Sequence, residues 1–352
     1  MGNKTAVKVS IIIVIVFVIM LLCGCGEKQV FNKVGFYYWK TVFNLTSADT
    51  ELMKKFRVSS LYVRMFDVSY DNVSGKHTFR QPVMNLKPVE GVVLFPVIFL
   101  LPDTFARGKG NDPKKAAAVI IKELDKLWKS QLVKYSEVQF DYDWSQGTKE
   151  AYFEFLKAAG EIYVKTGIKI SVTVRLHQYK YWKKLGVPPS DRKKVMVYNM
   201  RDPQTFGELN TILNIKDMKS YIRGNVKYPE KVDVVLPVYS WYIQYNGGKI
   251  AGIFTDIPRE QISEGGYFKR YKKNIFIAQK RVMIKGHEIS AGDILKKECV
   301  TEKDLNRTLS HIKKNMNLSG ELIYFGWDKN KIDEVGNETV YRNVISAVHS
   351  ND

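Results

Sequence analysis

Two hydrophobic rhythms alternate along the chain. Short runs rich in Val, Ile, Phe and Tyr predict strands, and longer stretches with apolar residues every three or four positions predict amphipathic helices. Eight strands are expected: "VGFYYW" (34–39), "SLYVRMFDV" (60–68), "GVVLFPVIFL" (91–100), "EVQFDYDW" (137–144), "KISVTVRLH" (169–177), "KVMVYNM" (194–200), "VDVVLPVYSW" (232–241) and "ELIYFGW" (321–327). Several are almost continuously apolar, as strands covered on both faces are. Helices are expected over 47–56, 112–130, 148–166, 206–222, 301–316 and 338–348. Ser and Asp capping candidates open the first, Pro113 sits in the first turn of the second, and Gly167 ends the third.

Strands alternating with helices predict a parallel sheet with crossover helices, and eight of them predict a closed (β/α)8 TIM barrel over 34–352. Two connections break the rhythm. Residues 69–90 are polar and punctuated by Gly and Pro. Residues 242–300 contain "KRVMIKGHEISAGDIL", which reads as short strands around Gly286 and Gly292. An insertion subdomain is therefore expected over 242–300, between strand seven and helix seven, on the carboxyl-terminal face of the barrel.

The first residues follow another logic. Lys4 and Lys8 precede an unbroken apolar run from Ile11 to Leu22, and "CGCGEK" follows. That is the layout of a signal peptide, and the run is shorter than the about 20 residues a membrane-spanning helix needs. "LCGC" resembles the bacterial lipobox, with Cys25 as the lipidated residue. Residues 1–24 then form the signal peptide and 25–33 a tether. The protein is expected to be exported and held by lipid in the cell membrane or outer membrane of a bacterium. Cys299 is then the last cysteine besides Cys25, so a large core must replace disulfides. The net charge of +19 is spread over scattered lysines. It suits anionic headgroups and envelope polymers, and no nucleic-acid partner is expected.

The strand ends carry the candidate chemistry, because a barrel of this kind builds its site there. They supply Tyr37 and Trp39, then Arg64 and Asp67, then Asp141 and Asp143, then Arg175 and His177, then Tyr198 and Asn199, then Tyr239 and Trp241, and last Trp327 and Asp328. Aromatic faces suit the apolar faces of sugar rings, and the polar groups between them suit hydroxyls. Alternation puts Gln139, Asp141 and Asp143 on one face and Phe140, Tyr142 and Trp144 on the other. Two carboxylates that close raise the pKa of at least one, unless Arg64, Arg175 or His177 compensates. No histidine spacing suggests a metal, and no cofactor is expected.

These strand ends resemble the glycoside hydrolase 18 (chitinase-like) superfamily. "VGFYYW" is similar to its first strand, "FDYDW" to the D-x-D part of its D-x-x-D-x-D-x-E motif, "MVYN" to its Met-x-Tyr-Asp and "LPVYSW" to its seventh strand. Trp327 falls where the family has a tryptophan at the cleft floor. The resemblance implies a barrel with a glycan cleft. In the family the last Glu of the motif protonates the glycosidic oxygen, and the preceding Asp orients the substrate's acetamido group. Here that Glu position is Ser145, and Asn199 stands where the family has Asp. A hydroxyl cannot replace a raised-pKa carboxyl as acid.

Three readings follow. The first is a lipid-anchored barrel that binds a glycan or cell-envelope polysaccharide without standard family 18 catalysis. The second is a glycosidase with relocated acids, Asp143 with Asp67 or Asp328. The third is an envelope scaffold with a vestigial cleft.

Overall fold

The structure is a computed structural model that describes residues 30–105, 111–129, 134–255, 257, 259–263, 266–284 and 286–335. The expected signal peptide, Cys25, most of the expected tether and the helix expected over 338–348 lie outside the described residues. Among the described residues no helix is long and apolar enough to cross a membrane.

The barrel begins with β1 (Lys33–Tyr38) and β2 (Ser60–Asp71). β3 (Lys76–Arg80) folds back antiparallel on the end of β2. Then come β4 (Val93–Leu100), β5 (Glu137–Asp141), β6 (Lys169–Arg175), β7 (Arg192–Met196) and β8 (Val232–Pro237). After an inserted subdomain, β16 (Leu318–Phe325) pairs with both β8 and β1, and β1 pairs with β2. Eight parallel strands thus close on themselves, as the alternating pattern predicts. A register shift between Arg64 and Phe66 lets β2 carry one extra residue against β4 just below the site end.

Helices cover the outside. Lys149–Tyr163 forms because Tyr152, Phe155, Leu156, Ala159 and Tyr163 make one apolar stripe. That stripe meets the outward rings of β5 and its continuation: Phe140 lies 4.9 Å from Phe155, and Trp144 stacks 5.7 Å from Tyr152. Ser47–Lys55 and Glu302–Asn315 each open on a capping box, Thr46 with Asp49 and Thr301 with Asp304. Asp at the fourth position closes the box as Glu would.

The helix expected over 206–222 is a correction. Only Ile215–Tyr221 is helical. Asn210 Oδ1 accepts from the backbone N–H groups of Ile212 and Leu213, and Asn214 caps the short helix by accepting from Lys216 and Asp217. Two asparagines offer the backbone local partners, and these outcompete a continuous helix.

The subdomain follows β8. It contains β9 (Trp241–Asn246), β10 (Lys249–Phe254), β11 (Phe268–Lys272), β12 (Ile275–Ala278), the hairpin β13 (Val282–Ile284) with β14 (His287–Ile289), and β15 (Ile294–Glu298). Five of them form an antiparallel sheet in the order β10-β9-β15-β12-β11. Gly247 and Gly248, both at positive φ, make the tight β9–β10 turn. The subdomain has its own small core around Tyr242, Phe254, Ile289 and Leu295.

At the amino-terminal end, the barrel interior is ionic. Lys194 is 0% exposed and reaches Glu137 at 3.2 Å, Glu321 at 3.3 Å and Asp233 at 3.5 Å. Its ammonium also donates to the Tyr62 hydroxyl at 2.8 Å. Arg192 adds a second cation beside Glu137 and Glu321.

Candidate functional site

At the opposite end, β5 keeps its alternation. Gln139 faces inward and accepts a 2.6 Å hydrogen bond from the Tyr37 hydroxyl. Asp141, 2% exposed, accepts from the Thr173 hydroxyl at 2.6 Å, and Arg175 Nη2 stands 3.6 Å from the same oxygen. Burial pushes the Asp141 carboxyl above the usual range, Arg175 and Thr173 counter this only in part, and Asp143 and Asp67 add to the rise.

Asp143 is set apart from Asp141. It lies two residues beyond the end of β5, and its carboxylate is exposed. Gln178 Nε2 donates to it at 3.0 Å, and His177 Nε2 lies 3.6 Å away. His177 does not continue the face of β6: that strand ends at Arg175, and His177 belongs to the short helix Leu176–Lys180. Gln178 is the unforeseen organiser here. Fully buried, it also donates to the Trp144 carbonyl at 2.9 Å and accepts from the Arg175 N–H at 2.7 Å, tying the ends of β5 and β6 together.

Arg64 serves neither Asp141 nor Asp143. It grips Asp67 with two nitrogens, Nε at 2.7 Å and Nη2 in a still shorter contact, and donates to Gln81 at 2.8 Å. Its guanidinium lies 5.8 Å from the Trp39 ring centroid. Asp328 is paired with Lys40 at 2.8 Å. Both carboxylates proposed as relocated acids are therefore engaged by cations.

The rings form a cup around Phe325. Its ring centroid lies 5.5 Å from Tyr37, 5.4 Å from Trp39, 5.2 Å from Tyr198 and 5.8 Å from Tyr239. Phe99 extends the cup, 5.9 Å from Trp39, and Trp241 extends it on the other side, 5.5 Å from Tyr239. The Tyr239 hydroxyl donates to Asn199 at 2.6 Å, and the Trp241 indole donates to Glu298 at 2.9 Å. Asn199 holds a left-handed backbone, φ 52°, a conformation its short polar side chain tolerates.

Trp327 is a correction. It is buried in the layer between barrel and helices, edge-on to Phe36 at 4.9 Å and near Phe56, and its indole donates to Asp49 at 3.0 Å. Asp49 belongs to helix Ser47–Lys55, so Trp327 locks that helix to the barrel. Phe325, two residues earlier, holds the floor of the cup.

Ser145 is exposed and turned into local backbone. Its hydroxyl accepts from Gly147 N–H at 3.2 Å and lies 3.3 Å from the Thr148 hydroxyl, and its carbonyl accepts from Lys149 at the start of the next helix. Among the described residues, no group of three or more His, Cys, Asp or Glu is arranged to hold a metal ion.

A closed (β/α)8 barrel with an antiparallel insertion after the seventh strand and an aromatic cup at the strand ends has the fold of the chitinase-like barrels of glycoside hydrolase 18. The spore cortex-lytic enzyme SleL of Bacillus megaterium is similar over 90% of this chain and 75% of its own, with 16% identity and a TM-score of 0.53. The Ostrinia furnacalis Group IV chitinase is similar over 90% and 99%, with 10% identity and a TM-score of 0.52. A Chromobacterium violaceum chitinase is similar over 89% and 99%, with 13% identity and a TM-score of 0.50. At these identities the likeness is one of fold. No family model matches the sequence, and no curated protein matches it.

Proposed function

We propose that this protein is an exported, lipid-anchored barrel that holds a glycan in the cup around Phe325 and lacks the proton donor of family 18 hydrolysis. The observation that carries the reading is the pairing of an aromatic cup with Ser145: rings gather at the mouth, while the position two residues past Asp143 offers only a hydroxyl tied to its own turn. Asp141 and Arg175 form the polar base of the cup, and Asp143 with His177 forms a rim that offers hydrogen bonds to hydroxyls, with buried Gln178 holding Asp143 in place. Relocated acids are disfavoured, because Arg64 and Lys40 occupy Asp67 and Asp328. The likeness to a cortex-lytic enzyme and to chitinases supports a cell-envelope or chitin-like saccharide as ligand. Cys25 supports anchoring, and the basic balance suits an anionic envelope.

The test is a glycan array with purified protein, followed by incubation of each hit and analysis for cleavage products. Binding without products, weakened about tenfold in Trp39→Ala, is expected. Products from the wild type that vanish in Asp143→Asn would replace this reading with catalysis, and absence of binding to any glycan would remove it. Anchoring is read separately: Cys25→Ser should move the protein from the membrane fraction to the soluble one.

A further inference from the structure

The chain enters the barrel at a fixed point. Phe31 is buried and the Asn32 N–H donates to the Gly320 carbonyl at 2.8 Å, so β1 starts beside β16 at the amino-terminal end. Cys25 precedes Phe31 by six residues, a reach of about 20 Å at full extension. Five strand residues, from Gly320 up to Phe325, rise about 17 Å. Even a fully stretched tether laid along the barrel wall would only draw level with Phe325, and a slack one leaves the lipid at the amino-terminal end.

The surface of that end is basic. All the strand starts of the parallel barrel lie there. Lys33 opens β1, and Arg57, Lys134, Lys165 and Lys231 come just before β2, β5, β6 and β8. Arg223 joins them, next to Gly224, which lies against Asn315 at the end of helix Glu302–Asn315. All six are exposed. Among the described residues none of the six has a carboxylate partner. The exposed acids of the same connections are already engaged: Glu90 by Lys54 at 3.6 Å, Asp191 by Lys169 at 3.2 Å and Glu230 by Lys193. Like charges around one face repel each other, and an anionic surface laid against that face offsets the repulsion.

We propose that the amino-terminal face of the barrel docks on an anionic phospholipid surface, with the six cations against the headgroups and the cup turned away from the membrane. The inference rests on the lipid-anchor reading for its geometry, and its test separates the two.

The purified full chain is added from detergent to nanodiscs of phosphatidylcholine alone or mixed with phosphatidylglycerol. Acetylation of each lysine is then followed by mass spectrometry. Co-elution with neutral discs reads the anchor, and protection on anionic discs reads the face. Lys33, Lys134, Lys165 and Lys231 should react about fivefold or more slowly on anionic discs than on neutral ones, the factor for one lysine held at an anionic surface. Lys249 and Lys269, exposed on the subdomain at the other end, should react alike on both. High salt should remove the protection by screening. Lys165→Glu with Lys231→Glu should remove it at Lys33 and Lys134, and if that pair shifts the unfolding temperature, the salt series decides. Co-elution with anionic discs alone, with the same protection, keeps the face and removes the anchor. Co-elution with both discs without protection, or protection of Lys249 and Lys269 instead, keeps the anchor and overturns the face. No association with either disc overturns both. Binding of soluble polyphosphate with no protection on anionic discs would overturn the lipid surface in favour of an envelope polymer.

Discussion

At the amino-terminal end of the barrel, Lys194 and Arg192 stand among Glu137, Asp233 and Glu321 with Ser60 and Tyr62. At the carboxyl-terminal end, Asp141 and Arg175 stand under a cup of rings, with Asp143 out in solvent. Both ends bury charge, but only the first surrounds a fully buried lysine, Lys194, with partners from four strands. The second leaves ring faces and one carboxylate open. Buried ion pairs of the first kind are damaging to break, whereas an open set suits a ligand that completes it. The difference teaches that charge inside this barrel is no guide to function until its exposure and partners are known.

The comparison is broken most forcefully at the ionic amino-terminal floor of the barrel, around Lys194. Lys194→Met leaves three buried carboxylates facing only Arg192. Urea unfolding should show a loss of about 3–5 kcal/mol, while Asp143→Asn at the exposed rim stays within about 0.5 kcal/mol. A small effect of Lys194→Met would mean that the floor is wet and that the contrast between the two ends is false.

Two tryptophans sharpen the same contrast. Trp327→Ala empties a buried site between barrel and helix and should cost about 3–5 kcal/mol of stability. Trp39→Ala, on the half-exposed wall of the cup, should cost much less stability yet weaken glycan binding about tenfold. Reversed outcomes would put the ligand site elsewhere.

That pair also shows how far the sequence reading reached. Eight strands, their order and the inward parity of Gln139 and Asp141 were legible, because period-two alternation holds wherever a ladder continues. The errors gather just past the last ladder residue. Asp143, His177 and Trp327 each follow the end of β5, β6 or β16, where tertiary packing and not the pleat aims the side chain. Phe325 was missed although its parity with Glu321 and its pairing with Tyr37 mark it as inward, because a phenylalanine at a strand end reads as ordinary core. Gln178 carried no signal, since its role depends on two strand ends meeting in space.

Acid should affect the two ends in opposite senses. Burial pushes Glu321 up, but Lys194, Ser60, Tyr62 and Arg192 outweigh it and hold the carboxyl below the usual range. Its contribution is present above the unfolded value and is lost as pH falls through the folded one. Asp141 is raised, so its ionisation costs stability at neutral pH. That cost is relieved as pH falls through its folded value toward the unfolded 3.8. Urea midpoints between pH 3 and 7 should therefore fall less steeply toward acid in Glu321→Gln than in the wild type. In Asp141→Asn the relief should disappear, with no loss of stability at pH 7. A Glu321→Gln profile parallel to that of the wild type would refute the ionic account of the floor.

The smallest effect is expected at Ser145, and it decides most about chemistry. The side chain is exposed and bonded only within its own turn, so Ser145→Ala should change stability and glycan affinity by no more than about 0.5 kcal/mol. Ser145→Glu places a carboxyl two residues past Asp143. If the cup already holds a glycan in a cleavable pose, that variant should release products that the wild type does not, because general acid catalysis is the missing part and contributes about 10²–10⁴-fold. Binding retained with no products would mean that the cup holds its ligand in a pose hydrolysis cannot use. A loss of wild-type turnover in Ser145→Ala would instead make the serine itself part of a reaction.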